Sequence, residues 1–336
     1  MAPSVTRKQV AQEAGVSEAT VSRVYNQPDS VAPDKLERVR SVADKLGYSP
    51  NTYASALRRK GSGVILFLEM QVKGGYQWTE LRHYNAFYAE IVRTLTREAE
   101  KTLYHLRFQT VTSEKEILKI ADPKNCDGVI GFNFASESSV QTLAKSGLPY
   151  VCCHHTEGFQ KANRISTDNF HGGALQAKEL KSKGYQKPAY ITGALEDTFS
   201  HQERLRGFVE EFSLDSKDIF KTDPSIEGGL QVGKVLVDQI RKKRFDSIGV
   251  VNDLTAVGII RALMSSGIEI PRQVAIIGYD NLPLINALPF QLTTLDLDLP
   301  QVYKKAFHAL LSMMRENKSN TIKLKLKPKI CKGTSI

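Results

Sequence analysis

The sequence predicts an α/β chain of two unlike parts: an N-terminal three-helix helix-turn-helix domain and, behind it, a two-lobed α/β body. Three observations carry this. Short helical patterns stopped by glycine fill the first fifty residues, and strand and helix patterns alternate through the rest. The remaining stretch, roughly 270 residues, is too long for one sheet with one core and suits two lobes.

In the first domain, Thr6 followed by Gln9 has the form of a capping box, and Val10, Ala11 and Ala14 give a first helix its apolar side. Gly15 is the expected stop. Ser17 caps a second helix over 18–26, with Val21 and Val24 turned inward. Pro33 opens a third, in which Leu36, Val39, Ala43 and Leu46 recur at helical spacing before Gly47 ends it. Polar Ser17, Glu18, Thr20, Ser22 and Arg23 are left on the outer face of the second helix. Held by its valines, such a helix can lie in the major groove of DNA with its early residues at base edges. Pattern alone also fits a plain three-helix bundle.

In the body, strands are expected at 64–68, 104–110, 128–132, 150–153, 189–192, 247–251 and 274–278. Helices are expected between them at 85–101, 175–183, 205–212, 230–242 and 254–265. This alternation implies parallel sheets, which bind ligands beyond the carboxyl ends of their strands. Asn252 directly follows one such strand, and Asp280 stands two residues after Gly278 at the end of another. Lys323, Leu324, Lys325, Leu326 and Lys327 alternate as a strand with one solvated lysine face.

Composition narrows the function classes. With 41% hydrophobic and 24% charged residues the chain is neither disordered nor fibrous. Its apolar runs fall far short of the roughly 20 residues of a membrane span, and its start has no signal-peptide pattern. A cytoplasmic protein without membrane contact is therefore expected. The net charge of +10, with ten basic against six acidic residues in the first sixty, favours a polyanionic partner. Four cysteines without a Cys-x-x-Cys pair make no disulfide framework. Cys152 and Cys153 before His154 and His155 invite a metal reading, but 148–153 reads better as a buried strand, where cysteine is a small hydrophobe. No metal and no cofactor is expected.

Enzyme motifs are weak. Residues 228–235 nearly spell a phosphate-binding loop, but Val235 stands where Ser or Thr would hold magnesium, and the run turns helical from Gln231. No Gly-x-Ser-x-Gly, His-Glu-x-x-His or strand-borne Gly-x-Gly-x-x-Gly occurs, and adjacency of Ser200 and His201 makes no nucleophile and base. A non-enzyme is expected.

The run from Ala11 to Asn26, then Gly47-Tyr48-Ser49-Pro50-Asn51, then Ala54-Ser55-Ala56-Leu57-Arg58, closely resembles the lactose/galactose-repressor family of bacterial transcription regulators. The likeness runs without gaps through the hinge and more loosely along the chain. It implies a DNA-binding domain over 1–48, a hinge helix over 49–61 and an effector-binding and dimerisation domain over 62–336. That domain would resemble periplasmic sugar-binding proteins, with lobe one at about 62–161 and 292–323 and lobe two at about 162–291 and 324–336.

The resemblance also implies residue roles. Ser17, Thr20, Ser22, Arg23 and Asn26 match positions that hold phosphates or reach bases, and Thr6, Tyr48, Asn51, Ala54 and Arg58 join them as expected DNA contacts. Glu18 and Ala19 match the pair that reads the major groove. Glu18 departs from the small or aromatic residue common there; a carboxylate is repelled by phosphate and accepts from cytosine N4, so Glu18 is expected to select a cytosine. Leu57, beside small Ala54 and Ala56, matches the wedge that enters the minor groove. Arg204, Asn252 and Asp280 match recurrent effector contacts, a guanidinium, an amide and a carboxylate suited to sugar hydroxyls. Asp253 reads as the cap of the next helix.

Residues 72–84 are an insertion relative to the family pattern. It carries Trp78, the single tryptophan, which offers a stacking face for a sugar. His154, at a strand end, is a further candidate contact. The expected protein is a homodimeric repressor of carbohydrate-utilisation genes, bound to a near-palindromic DNA operator and controlled by a sugar-like small molecule. A regulator answering to a protein or a purine-type co-repressor, or a sugar-binding protein without regulatory role, is the alternative.

Overall fold

A computed structural model of the chain describes residues 5–26, 30–48, 61–71, 85–134, 136–154, 156, 158–159, 161–193, 198–316 and 321–336. The N-terminal domain consists of α1 (Arg7–Glu13), α2 (Glu18–Asn26) and α3 (Pro33–Leu46). Its core is the set read from spacing: Val10, Ala11, Ala14, Val21, Val24, Val39 and Ala43 are buried together, with Leu36 and Leu46 at the margin. Gly15 and Gly47 adopt φ of 62° and 67°, the left-handed conformation that stops a helix at low cost. The capping box forms, with the Thr6 hydroxyl accepting from Gln9 N while Gln9 Oε1 accepts from Thr6 N at 2.7 Å. Thr6→Ala is therefore expected to cost this domain about 1 kcal/mol, read as a lower melting transition. An unchanged transition would mean the cap carries no weight.

The body holds β1 (Val64–Met70), α4 (Asn85–Ala99), β2 (His105–Val111), α5 (Glu114–Ile120), β3 (Gly128–Phe132), α6 (Glu137–Ala144), β4 (Tyr150–Cys153) and β5 (Arg164–Thr167). It continues with α7 (Asn169–Ser182), β6 (Pro188–Thr192), α8 (Phe199–Phe212), β7 (Ile219–Lys221), α9 (Ile226–Arg241), β8 (Ser247–Val250), α10 (Asp253–Ser265) and β9 (Ala275–Ile277). Last come β10 (Thr294–Asp296), α11 (Leu299–Glu316), β11 (Lys323–Leu326) and β12 (Lys329–Cys331). Every strand and helix expected from the alternation in the body is present. Three helices start earlier than their apolar spacing suggested: Asp168 caps α7 ahead of Gly172 and Gly173, α8 begins at Phe199, and Ser225 caps α9 ahead of Gly228 and Gly229.

A six-stranded parallel sheet runs β11-β5-β4-β3-β1-β2, a four-stranded parallel sheet runs β7-β6-β8-β9, and β10 pairs antiparallel with β12. Parallel order follows from the intervening helices, which cover the faces and make the strands near-continuous apolar runs. Cys152 and Cys153 lie wholly buried in β4, and burial pushes both thiols well above their ordinary range, as for inert core cysteines. The lysine-rich β11 is an edge of the larger sheet, where exposed charges block further strand pairing.

The lobe boundaries need correcting. Arg164–Thr167 and Lys323–Leu326 were expected to fall wholly or largely in lobe two, yet β5 and β11 pair with each other in the six-stranded sheet of lobe one. The chain crosses between lobes after them, at about 168 and 327, and Asp168 N donates to Leu326 O at 2.8 Å where these crossings run side by side. Short polar strands carry too little periodicity to reveal which sheet they join.

Glycine in the near-miss phosphate loop has a packing role. Residues 228–235 lie inside α9, capped by Ser225, and a Cβ on Gly229 would overlap the Thr255 carbonyl of α10. Among the described residues no helix is long and apolar enough to cross a membrane.

Candidate functional site

Two sets of polar side chains stand out. On the N-terminal domain the Ser17 hydroxyl accepts from Thr20 N at 3.1 Å and lies 2.9 Å from the Thr20 hydroxyl, so it caps α2 as its position required. The next side chains, Glu18 and Ala19, are exposed on the first turn, and Arg23 is exposed one turn on. Glu18 is not alone: its Oε2 accepts from Arg7 Nε of α1 at 3.2 Å. Tyr48 follows α3 half-buried, with its ring edge-on to Tyr25 at 6.1 Å. Ser22 is half-buried on the same helix as Arg23. Asn51, Ala54, Leu57 and Arg58 of the expected hinge lie outside the described residues, as do Trp78 and the side chain of Asn26.

The second set gathers at the carboxyl ends of the four-stranded sheet. Arg204 projects from α8 and is buried; its Nη1 donates to Val251 O at 2.6 Å and to Asp280 Oδ1 at 3.3 Å. Its Nε donates to Asn169 Oδ1 at 2.8 Å, and its guanidinium carbon lies 3.7 Å from the centre of the Tyr279 ring. Close helix packing makes this possible, since a Cβ on Gly173 of α7 would overlap the Arg204 carbonyl oxygen. Asp280 sits beyond β9 with φ of 111°, and its Oδ2 is buried without a partner among the described residues. Burial outweighs the Arg204 charge and lifts the Asp280 carboxyl to about 7.

Asn252 is part of the same cluster, but its amide is engaged within the lobe. Its Oδ1 accepts from Thr255 N and its Nδ2 donates to Pro224 O, both at 2.9 Å. Asn252, not Asp253, therefore caps α10, which corrects the sequence expectation. Asp253 instead turns into the core, accepting from Leu282 N at 2.9 Å and the Thr294 hydroxyl at 2.7 Å. Burial first, and the Asp280 charge second, push its carboxyl up to about 8. A sequence cannot separate the two, because they are adjacent at one helix start and only the extended backbone of Asn252 makes it the cap.

Across the molecule, His154 follows β4 with φ of 68° and packs its ring 4.9 Å from Phe87 and 5.4 Å from Phe132. Asn133, after β3, is buried beside this aromatic wall and donates to Met70 O. Arg204 and Asp280 are thus brought together with Asn252, whereas His154 stands at the carboxyl end of β4, an inner strand of the other sheet. Asn169 and Gln176 were missed by sequence reasoning. Gln176 Nε2 donates to Val250 O and Gly278 O, each at 2.9 Å, tying α7 to the ends of β8 and β9. Gln176 sits mid-helix as any polar residue would; Asn169 carries one faint cue, its place just after a capping aspartate.

Comparison with known proteins agrees with the two-part fold. Residues 6–51 match the family described as bacterial regulatory proteins, lacI family, and residues 177–336 match the periplasmic binding protein-like domain. The chain is similar to catabolite control protein A of Priestia megaterium, 27% identical over 301 residues with 87% of each chain covered. It is similar also to the HTH-type transcriptional repressor PurR of Aliivibrio fischeri, 27% identical over 344 residues with 98% of each covered. Among solved structures, the transcriptional regulator CelR–cellobiose complex superposes with a TM-score of 0.71 at 22% identity, covering 98% of this chain and 99% of that one.

Proposed function

From a chain that belongs to the lacI family of bacterial regulatory proteins, and so is a DNA-binding regulator of transcription with an effector-binding domain, we infer a sugar-responsive repressor. The observation that supports a small polyhydroxylated effector most directly is the buried Arg204–Asp280 pair, with Asp280 Oδ2 lacking a donor among the described residues. A buried acceptor left unmatched by protein is suited to a hydroxyl supplied by a ligand, and a guanidinium beside it suits a second hydroxyl. The CelR structure holds cellobiose, which favours a carbohydrate; the PurR relatives keep a purine co-repressor as the second reading.

In this reading the protein works in the cytoplasm as a homodimer, with two α2 helices in successive major grooves of a near-palindromic operator and a Leu57 wedge from each hinge between them. Effector binding would move the lobes through the crossings between them. Both cluster residues connect to those crossings: Arg204 holds Asn169, just after the first, and Asp280 N donates to Leu295 O at 2.8 Å in β10, whose partner strand β12 lies just after the second. A ligand that draws on this pair therefore loads the hinge, and operator and effector must alter each other's affinity by the same factor. Carbohydrate-utilisation genes are the proposed targets.

The test is a thermal-unfolding screen of the full chain against sugars, sugar phosphates, sugar acids and purines. Ligand at about a hundred times its dissociation constant adds roughly 2.7 kcal/mol, a readable shift in melting temperature. The shift is expected from a carbohydrate and should vanish in Asp280→Ala and Arg204→Ala. A shift from purines alone would replace the sugar reading, and none from any compound would overturn the small-molecule one.

A further inference from the structure

The recognition helix begins with an acidic residue, an unusual choice beside a polyanion. Glu18 is the first residue of α2, and its carboxylate is about half exposed, with a side-chain accessibility of 46%. Left alone it would be repelled by phosphate on approach to DNA. The fold gives it a counter-charge from another helix. Arg7, the first residue of α1, reaches Glu18 Oε2 through Nε at 3.2 Å, and the capping box of Thr6 and Gln9 fixes the backbone from which Arg7 projects. Tyr48, beyond α3, lies within electrostatic range of both Arg7 and Glu18, so all three helical segments converge on this spot.

We propose that Arg7 is a positioning residue for operator specificity: it neutralises Glu18 and holds one carboxylate oxygen, leaving the other to accept from a cytosine N4 amino group. Among the described residues Glu18 Oε1 has no protein donor, and Arg7 makes no bond beyond its Nε contact. The remaining guanidinium N–H groups stay available to a phosphate beside the groove, so the pair meets DNA without net charge. This inference rests on the reading of α2 as the base-reading helix. An exposed ion pair contributes little to folding, so the role of Arg7 should show in base choice and not in stability.

The experiment is selection from a random duplex library by the full-length protein, its Arg7→Met, Arg7→Lys and Glu18→Gln variants, and the Arg7→Met/Glu18→Gln double variant. The parent should enrich a near-palindrome with one cytosine position per half-site that becomes degenerate in Glu18→Gln, by roughly tenfold in preference. Arg7→Met should relax that same position by roughly threefold or more and leave the others intact; Arg7→Lys should restore part of it, and the double variant should match Glu18→Gln at that position. Uniform weakening across all sequences in Arg7→Met, with base preference unchanged, would overturn the proposal and leave Arg7 a phosphate contact. Unchanged preference in Glu18→Gln would overturn it too while leaving the DNA-binding reading standing. Failure of the parent to enrich any sequence would bring down the regulatory reading itself.

Discussion

Arg204→Ala is expected to destabilise the four-stranded lobe by about 3–5 kcal/mol, among the larger effects of a single substitution. The reason is asymmetry. Arg204 and Asp280 are both almost fully buried, so removing the cation leaves the Asp280 carboxyl in an apolar surround without its counter-charge and main donor. The change also takes a donor from Asn169 Oδ1 and from Val251 O and lifts the guanidinium off the Tyr279 ring. Lysine should restore little, since one ammonium cannot reach three acceptors in the plane a guanidinium spans. Urea unfolding read by fluorescence and circular dichroism measures the loss. Pairing Arg204→Met with Asp280→Asn should recover much of it, because both charges then leave together. A loss below about 1 kcal/mol for the single change would contradict the burial argument.

Stability should also fall as pH rises from about 4 to about 8, opposite to the usual behaviour of a paired carboxylate. Unfolded, Asp253 and Asp280 titrate near 3.8; folded, burial lifts Asp253 to about 8 and Asp280 in the same direction. The folded state then holds protons that the unfolded chain has already released. Their contribution is complete below the unfolded value and is lost as pH climbs through the folded ones. The slope for one such group is at most about 1.4 kcal/mol per pH unit. Asp253→Asn removes the larger shift while keeping an oxygen for Leu282 N or the Thr294 hydroxyl, so its pH profile should be visibly flatter than the parent's between pH 5 and 8. Parallel profiles for the two proteins would show that Asp253 does not change its protonation on folding.

Much of the first domain was legible because its signals are local. A threonine three residues before a glutamine, a proline at a helix start and a glycine at its end act through bonds within one turn, and neighbours along the chain suffice to specify them. The alternation of strands and helices in the body is equally local, since a period of two or of 3.6 needs no knowledge of the partner. Resemblance in α2 and the hinge marked the expected DNA contacts, and the motif after two strands marked Asn252 and Asp280.

What the tertiary structure decided is which groups meet. β5 and β11, 159 residues apart at Arg164 and Lys323, share a sheet because each offers the other an edge, and nothing in either short segment names that partner. Asn252 became the helix cap while Asp253 went to the core, an exchange set by backbone dihedrals that adjacent residues do not encode. Asn169 holds Arg204, and Arg7 meets Glu18, only because helices that pack closely carry them there. The sequence determined the elements and the residue types at their ends, through short-range hydrogen bonds and periodic burial. The pairings among those residues depend on long-range packing, in which the desolvation of each buried charge is offset only by a partner brought from elsewhere in the chain.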